Sequence, residues 1–156
     1  MGQEHVFEGR LAWTGRRSEV DGRLRLERAF RVEFDGKAPI EGSSPAVFSG
    51  DDGRHNPETL MVASLMACHH LTYVAVCERA GIALASYHDH ATGILGMKDG
   101  RMRMTGVTLR PQVRVLDAAQ RERAAALHAK AHEHCFMSNS VNFDVTVEPD
   151  VQLAAP

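Results

Sequence analysis

The chain predicts an α+β fold, a mostly antiparallel sheet covered by helices. Three observations lead there. Short segments alternate apolar and polar residues, as half-buried strands do; Val141, Phe143, Val145 and Val147 are the clearest case. Residues 57–80, PETLMVASLMACHHLTYVAVCERA, are instead apolar nearly all round and read as one helix of about six turns. The order of strands, helix, strands, helix and strand lacks the repeated strand–helix units of a doubly wound sheet.

Taken in order, residues 6–13 form a first strand with Phe7, Leu11 and Trp13 on one side. Thr14-Gly15-Arg16-Arg17-Ser18 is a polar turn or loop, and Asp21-Gly22 a turn dipeptide. Leu24, Leu26, Phe30, Val32 and Phe34 recur every second residue apart from Arg28, which predicts one strand with a bulge. Residues 37–56 read as a long loop, of a length often reserved for function. Asn56 stands where a helix N-cap belongs, Pro57 suits the first helical position, and Glu58 puts a negative charge in the first turn. Gly81 ends the helix.

Residues 82–95 then read as a strand, and 101–116 as one or two strands with a break at Pro111. Asp117 caps a second helix over 118–134, whose stripe of Ala124, Leu127 and Ala131 is thin. Residues 141–147 are the last strand. Residues 149–156 read as a tail of a single domain over 1–156.

At 156 residues the chain is long enough for one real core. Net charge is −2 and no basic stripe with interleaved aromatics occurs, which excludes the usual nucleic-acid binders. The start, MGQEHVFEGR, has no apolar core of signal-peptide length, and Val6 stands where a myristoylation motif wants Ser or Thr. A cytoplasmic location is expected. The central helix reads as too short and too interrupted by His69 and His70 to span a membrane. Burying it on all sides in so small a chain calls for a partner, and a homodimer is expected.

Three cysteines, an odd number, fit no closed set of structural disulfides. Cys68 lies mid-helix and reads either as a core thiol or as a reactive one. Cys77, nine positions on, points about half a turn away and reads as structural. Cys135, at an element boundary, is easier to move, and pairs with Cys68 if the fold brings them together. At its ordinary pKa only about 3% of a cysteine is thiolate at pH 7, so a nearby arginine would have a clear task. Glu58 is about 15 Å up the helix from Cys68. It can hold such an arginine without touching the sulfur, or act only as a helix-start charge. The rival chemistry is zinc: His128, His132, His134 and Cys135 with Cys68 or His69 supply enough ligands. No HExxH or CxxC supports it, and His128 and His132 read as an exposed helix face. His5, His55, His88 and His90 read as surface residues.

Two segments, HNPETLMVASLMACHH (55–70) and AHEHCFMSNSVNFDVTVEP (131–149), carry a resemblance to the OsmC/Ohr family of thiol-dependent organic hydroperoxide reductases. It extends over residues 6–148, and EGSSPAVFSGDDGRHNPE (41–58) resembles an OsmC-like sub-branch. The resemblance implies an intertwined homodimer, with curved sheets wrapped around buried central helices and two sites at the interface. It implies that Cys68 is the peroxidatic cysteine and Cys135 the resolving one. It also implies that Glu58 orients an active-site arginine: Arg17 by the match of TGRR, or Arg16 if the register slips. The implied partners are an organic hydroperoxide, alkyl or lipid, and an external dithiol or thiol, with no bound cofactor or metal. The implied alternative is a metal- or small-ligand-binding OsmC-like protein with little peroxidase activity. The chain departs from the family pattern at His69, where an aromatic residue is common, and in the histidine-rich approach to Cys135.

Overall fold

The structure, a computed structural model, describes residues 4–13 and 15–155. Residues 1–3, Thr14 and Pro156 lie outside the described residues, and with them the myristoylation position, one residue of the TGRR loop and the end of the expected tail. The chain divides into two compact units, Met1–Leu60 and Met61–Pro156.

In the first unit, β1 (Arg10–Ala12), β4 (Phe30–Glu33) and β5 (Ile40–Gly42) form an antiparallel sheet in the order β1-β4-β5. β2 (Arg17–Val20) and β3 (Arg23–Leu26) form a separate antiparallel hairpin. Its two-residue turn is Asp21-Gly22, both at positive φ, which matches the right-handed twist of the strands it joins. The expected single strand over 24–34 is therefore two. The break falls at residues 27–29, around the Arg28 that interrupts the alternation, because β3 pairs with β2 while β4 pairs with β1 and β5. Trp13 Nε1 donates to the Glu27 carbonyl at 2.8 Å and holds the break in place. The first strand is shorter than expected. The long loop is more ordered than expected: it contains β5 and a 3₁₀ turn at Ala46–Phe48, and the buried Ser43 hydroxyl accepts from the Asp51 N–H at 3.1 Å.

Helix α1 (Pro57–Arg79) has the expected ends. Asn56 Oδ1 accepts from the Thr59 N–H at 2.8 Å, and Thr59 Oγ1 accepts from the Asn56 N–H at 3.1 Å, so two orphan donors are satisfied reciprocally. At the other end Gly81 N–H donates to Glu78 O and Ile82 N–H to Cys77 O, both at 3.0 Å. That pair of bonds is a Schellman cap, and it needs the left-handed φ of 68° that Gly81 supplies. By length and composition α1 meets the requirement for a membrane span, contrary to the sequence expectation. Its buried residues Leu65, His69, Tyr73, Val76 and Cys77 fall on one face, while Leu71 is 66% exposed. Burial on most sides is thus not achieved by the single chain.

The second unit holds two three-stranded sheets. β7 (Thr92–Lys98) and β8 (Arg101–Leu109) form an antiparallel hairpin, and β10 (Asp144–Val147) adds to β8 in parallel. β6 (Leu84–Asp89) pairs antiparallel with β9 (Pro111–Val115), and β11 (Asp150–Leu153) adds to β9 in parallel. Two expectations change here. The strand over 82–95 is two strands in different sheets, split at residues 90–91. The supposed tail carries β11, whose Val151 is buried. The two parallel pairs make these two sheets mixed, while the other pairings among the described residues are antiparallel, in line with the mostly antiparallel expectation. Break-at-Pro111 and the second helix hold: a 3₁₀ turn capped by Asp117 leads into α2 (Arg121–Glu133).

One core cluster joins Tyr73 and Val76 of α1, Val113 and Val115 of β9, and Ala124 and Ala131 of α2. The other sets Leu65 of α1 against Met104, Val107 and Leu109 of β8. Leu65 is fully buried, so Leu65→Ala is expected to cost about 3 kcal/mol in denaturant unfolding by lost transfer energy and the cavity left behind. A loss under 1 kcal/mol would mean that this cluster collapses onto the gap.

Candidate active site

Cys68 lies in the middle of α1 and is half-buried. Cys135 lies two residues past the end of α2 and is fully buried. The fold brings their thiols near disulfide distance, and both are free. Local structure explains the approach. α2 closes at His134, and the Cys135 N–H donates to the His132 carbonyl at 3.2 Å. The chain then turns through Phe136 and Met137 into a 3₁₀ turn at Ser138–Ser140. That turn aims a main-chain donor at the other sulfur. The Met137 N–H donates to Cys68 Sγ at 3.4 Å.

These contacts oppose one another. Burial pushes the Cys68 thiol up, the Met137 N–H lowers it, the Cys135 thiol raises it, and the result lies above the ordinary value. The direction is opposite to that expected for a thiolate held by an arginine. An N–H group turned onto sulfur does favour the anion, so the turn supplies part of what a thiolate requires. Cys77 is buried in the first core cluster, where burial raises its thiol too; it takes no part in the pair.

Glu58 and Arg17 belong to the first unit. Glu58 sits in the first turn of α1 with one carboxylate oxygen, Oε2, buried and without a hydrogen-bond partner among the described residues. Arg17 opens β2, opposite Leu26, rather than lying in a loop. Arg16, just before it, is 3.9 Å from Glu27.

The histidines depart most from expectation. His128 is only 2% exposed, not part of a solvent face. The reason is α2's buried stripe, which runs Ala124, His128, Ala131 instead of through Leu127. That four-then-three spacing was the available signal. His69 Nε2 and His128 Nδ1 are 3.1 Å apart, one donating and the other accepting. Tyr73 stacks on His128 with ring centroids 3.7 Å apart and donates its hydroxyl to the Ala124 carbonyl at 3.1 Å. Burial lowers His69 to about 4, with His132 and His70 adding, and lowers His128 to about 3, with His69 adding. Both rings are therefore neutral at pH 7. His69 turns to His128 and not to the sulfur. Among the described residues no group of three or more His, Cys, Asp and Glu side chains is arranged to hold a metal ion.

Residues 50–150 match the family described as OsmC-like protein. The chain belongs to the OsmC family. Of the solved structures, an OsmC-like protein of unknown function from Vibrio cholerae is 32% identical, with a TM-score of 0.84 over 94% of this chain and 99% of that one. An organic hydroperoxide resistance protein OsmC from Legionella pneumophila shares the fold at 24% identity and a TM-score of 0.72, over 97% of this chain and 100% of that one. An organic hydroperoxide resistance protein from Elizabethkingia anophelis does so at 20% identity and a TM-score of 0.70, over 99% and 100%. No match is found among curated proteins. Membership in the OsmC family agrees with the α+β architecture and with a candidate redox pair at Cys68 and Cys135.

Proposed function

We infer that this OsmC-family protein is a thiol-dependent peroxidase that reduces organic hydroperoxides to alcohols. The observation that carries the reading is the pair of free thiols near disulfide distance, with the Met137 main-chain N–H turned onto one of them. The Cys68 thiolate attacks the peroxide O–O bond. The bond breaks, the alkoxide leaves and takes up a proton, and Cys68 becomes a sulfenic acid. The Cys135 thiol then displaces water from that sulfur and closes a disulfide. An external dithiol or thiol reduces it, which returns both cysteines and completes the two-electron balance.

Arg17 is assigned the task of stabilising the thiolate and the charge developing on the leaving oxygen, and Glu58 that of orienting it. The protein works as a homodimer, in which a second copy covers the apolar face of α1 that bears Leu71. A reducing cytoplasm suits its three free cysteines. The names of the Legionella and Elizabethkingia proteins agree with the substrate class.

The test is thiol titration before and after one equivalent of cumene hydroperoxide. Loss of two thiols per chain is expected, and no loss overturns the reading. The arginine has its own test. Without a guanidinium, burial and Cys135 leave Cys68 above the ordinary thiol value. With one, the pH inflection of Cys68 alkylation by iodoacetamide falls below about 8.5. It is expected below in the native protein and above in Arg17→Ala. An unshifted inflection in Arg17→Ala removes Arg17 from the scheme, and the same measurement on Arg16→Ala shows whether its neighbour takes the place.

A further inference from the structure

The hydrogen bond between His69 and His128 is the one buried side-chain to side-chain hydrogen bond among the described residues. It is not an economical way to fill a core. His69 Nδ1 and His128 Nε2 are buried with no partner among those residues. A buried polar atom left unpaired costs about 1–3 kcal/mol, which two apolar rings of similar shape would avoid. The pair is held at one particular place. His69 follows Cys68 directly on α1. His128 lies seven residues before Cys135 on α2, whose last turn holds the Cys135 N–H through the His132 carbonyl. The hydrogen bond thus ties the helix of one thiol to the helix that delivers the other. Apolar contacts let two helices slide; a ring-to-ring hydrogen bond fixes both distance and angle. Stacking on Tyr73, at an interplanar angle of 10°, fixes the plane of the His128 ring.

We propose that His69 and His128 are positioning residues for the thiol pair, setting where Cys135 sits relative to Cys68. This deepens the proposed function and rests on its pairing of the two cysteines, though not on the peroxide chemistry. Neither imidazole touches a reacting sulfur in this scheme. What they supply is effective concentration of one thiol at the other. A disulfide tolerates little error, since the Cα atoms must lie within about 7 Å with the side chains facing.

The experiment is a glutathione equilibrium on the full chain. The protein dithiol and one oxidised glutathione exchange to give the protein disulfide and two reduced glutathiones, so the constant reads the effective concentration directly. His128→Phe keeps a ring on Tyr73 and removes the hydrogen bond; the effective concentration is expected to fall at least about tenfold. His128→Asn keeps a hydrogen-bonding side chain and is expected to recover to within about threefold of native. Simple loss of packing would predict the reverse order, because Asn leaves the larger gap. A folded His128→Phe with the native constant overturns the proposal. Should that variant not fold, imidazole nitrogen resonances of the native protein serve instead. Closing the disulfide is expected to shift those of His69 and His128 well beyond those of the exposed His5 and His88, and equal shifts overturn it. If native Cys68 and Cys135 never close, the pairing fails and the proposed function fails with it. If they close without consuming peroxide, only the proposed function falls.

Discussion

Acidification from pH 7 to pH 4 is expected to remove about 3 kcal/mol of stability through His69 alone, and about as much through His128. Both rings titrate lower folded than unfolded, so between about 6.5 and about 4 the unfolded chain binds more protons. Stability is therefore full above about pH 6.5 and declines as pH falls. The two losses are not additive, because the rings share one hydrogen bond and one charge raises the cost of the second. The groups facing the pair are His70 and Tyr73 on α1 and His132 on α2. A charge on His132 or His70 makes protonation of His69 harder, which steepens the decline. Against a total of about 5–15 kcal/mol this is a large share. Guanidinium unfolding at pH 7, 5 and 4 measures it. Subtracting the same series for His69→Leu/His128→Phe cancels the contribution of Asp89, whose raised pKa works in the opposite direction. Parallel pH dependence in the two proteins would show that the imidazoles are not buried as the structure has them.

The second large effect concerns the sulfurs. Cys68→Ser is expected to lower peroxide turnover by about 10³-fold or more, since a serine hydroxyl at neutral pH lacks the nucleophilicity of a thiolate. Cys135→Ser has a different signature. It leaves the first attack in place, so one equivalent of peroxide is consumed and a sulfenic acid accumulates on Cys68, where dimedone traps it. Steady cycling with a dithiol then slows, because the reductant must reach a half-buried sulfur that an intramolecular partner otherwise reaches first. Cys77→Ser, remote from the pair in the first core cluster, is expected to retain native turnover. Native cycling in Cys135→Ser would remove its resolving role. Loss of the first turnover in Cys77→Ser would point to the wrong sulfur.

What could be read from the sequence was what is settled locally. The ends of α1 were visible because Asn56, Pro57 and Gly81 each act through their own backbone neighbours. The Asp21-Gly22 turn was visible for the same reason. Partner exchange was not. Residues 24–34 alternate as one strand, and only the choice of β2 for one half and β1 and β5 for the other cuts them at 27–29. The parallel strand β11 was missed because Glu148 and Pro149 resemble an exit from the fold, while the pairing that recovers the chain lies some forty positions back.

At the site, residue type pointed to Cys68 and Cys135, but their meeting is tertiary. The Met137 N–H group left no trace, since every residue but proline offers the same donor and only the turn past His134 aims this one. His128 was misplaced by one stripe, because alanines on several sides of α2 make its buried face ambiguous.

β10 and β11, separated by only Glu148 and Pro149, complete two different sheets. A nascent chain leaving the ribosome has made α1, the antiparallel partners of β8 and β9, and all of α2 before either sheet receives its closing strand. Until then one edge of β8 and one of β9 stand open, and those pairings span long stretches of sequence, the slow kind to form. The interval between the emergence of residue 143 and that of residue 153 is thus when this protein is most exposed to self-association, and when a holdase would protect it most.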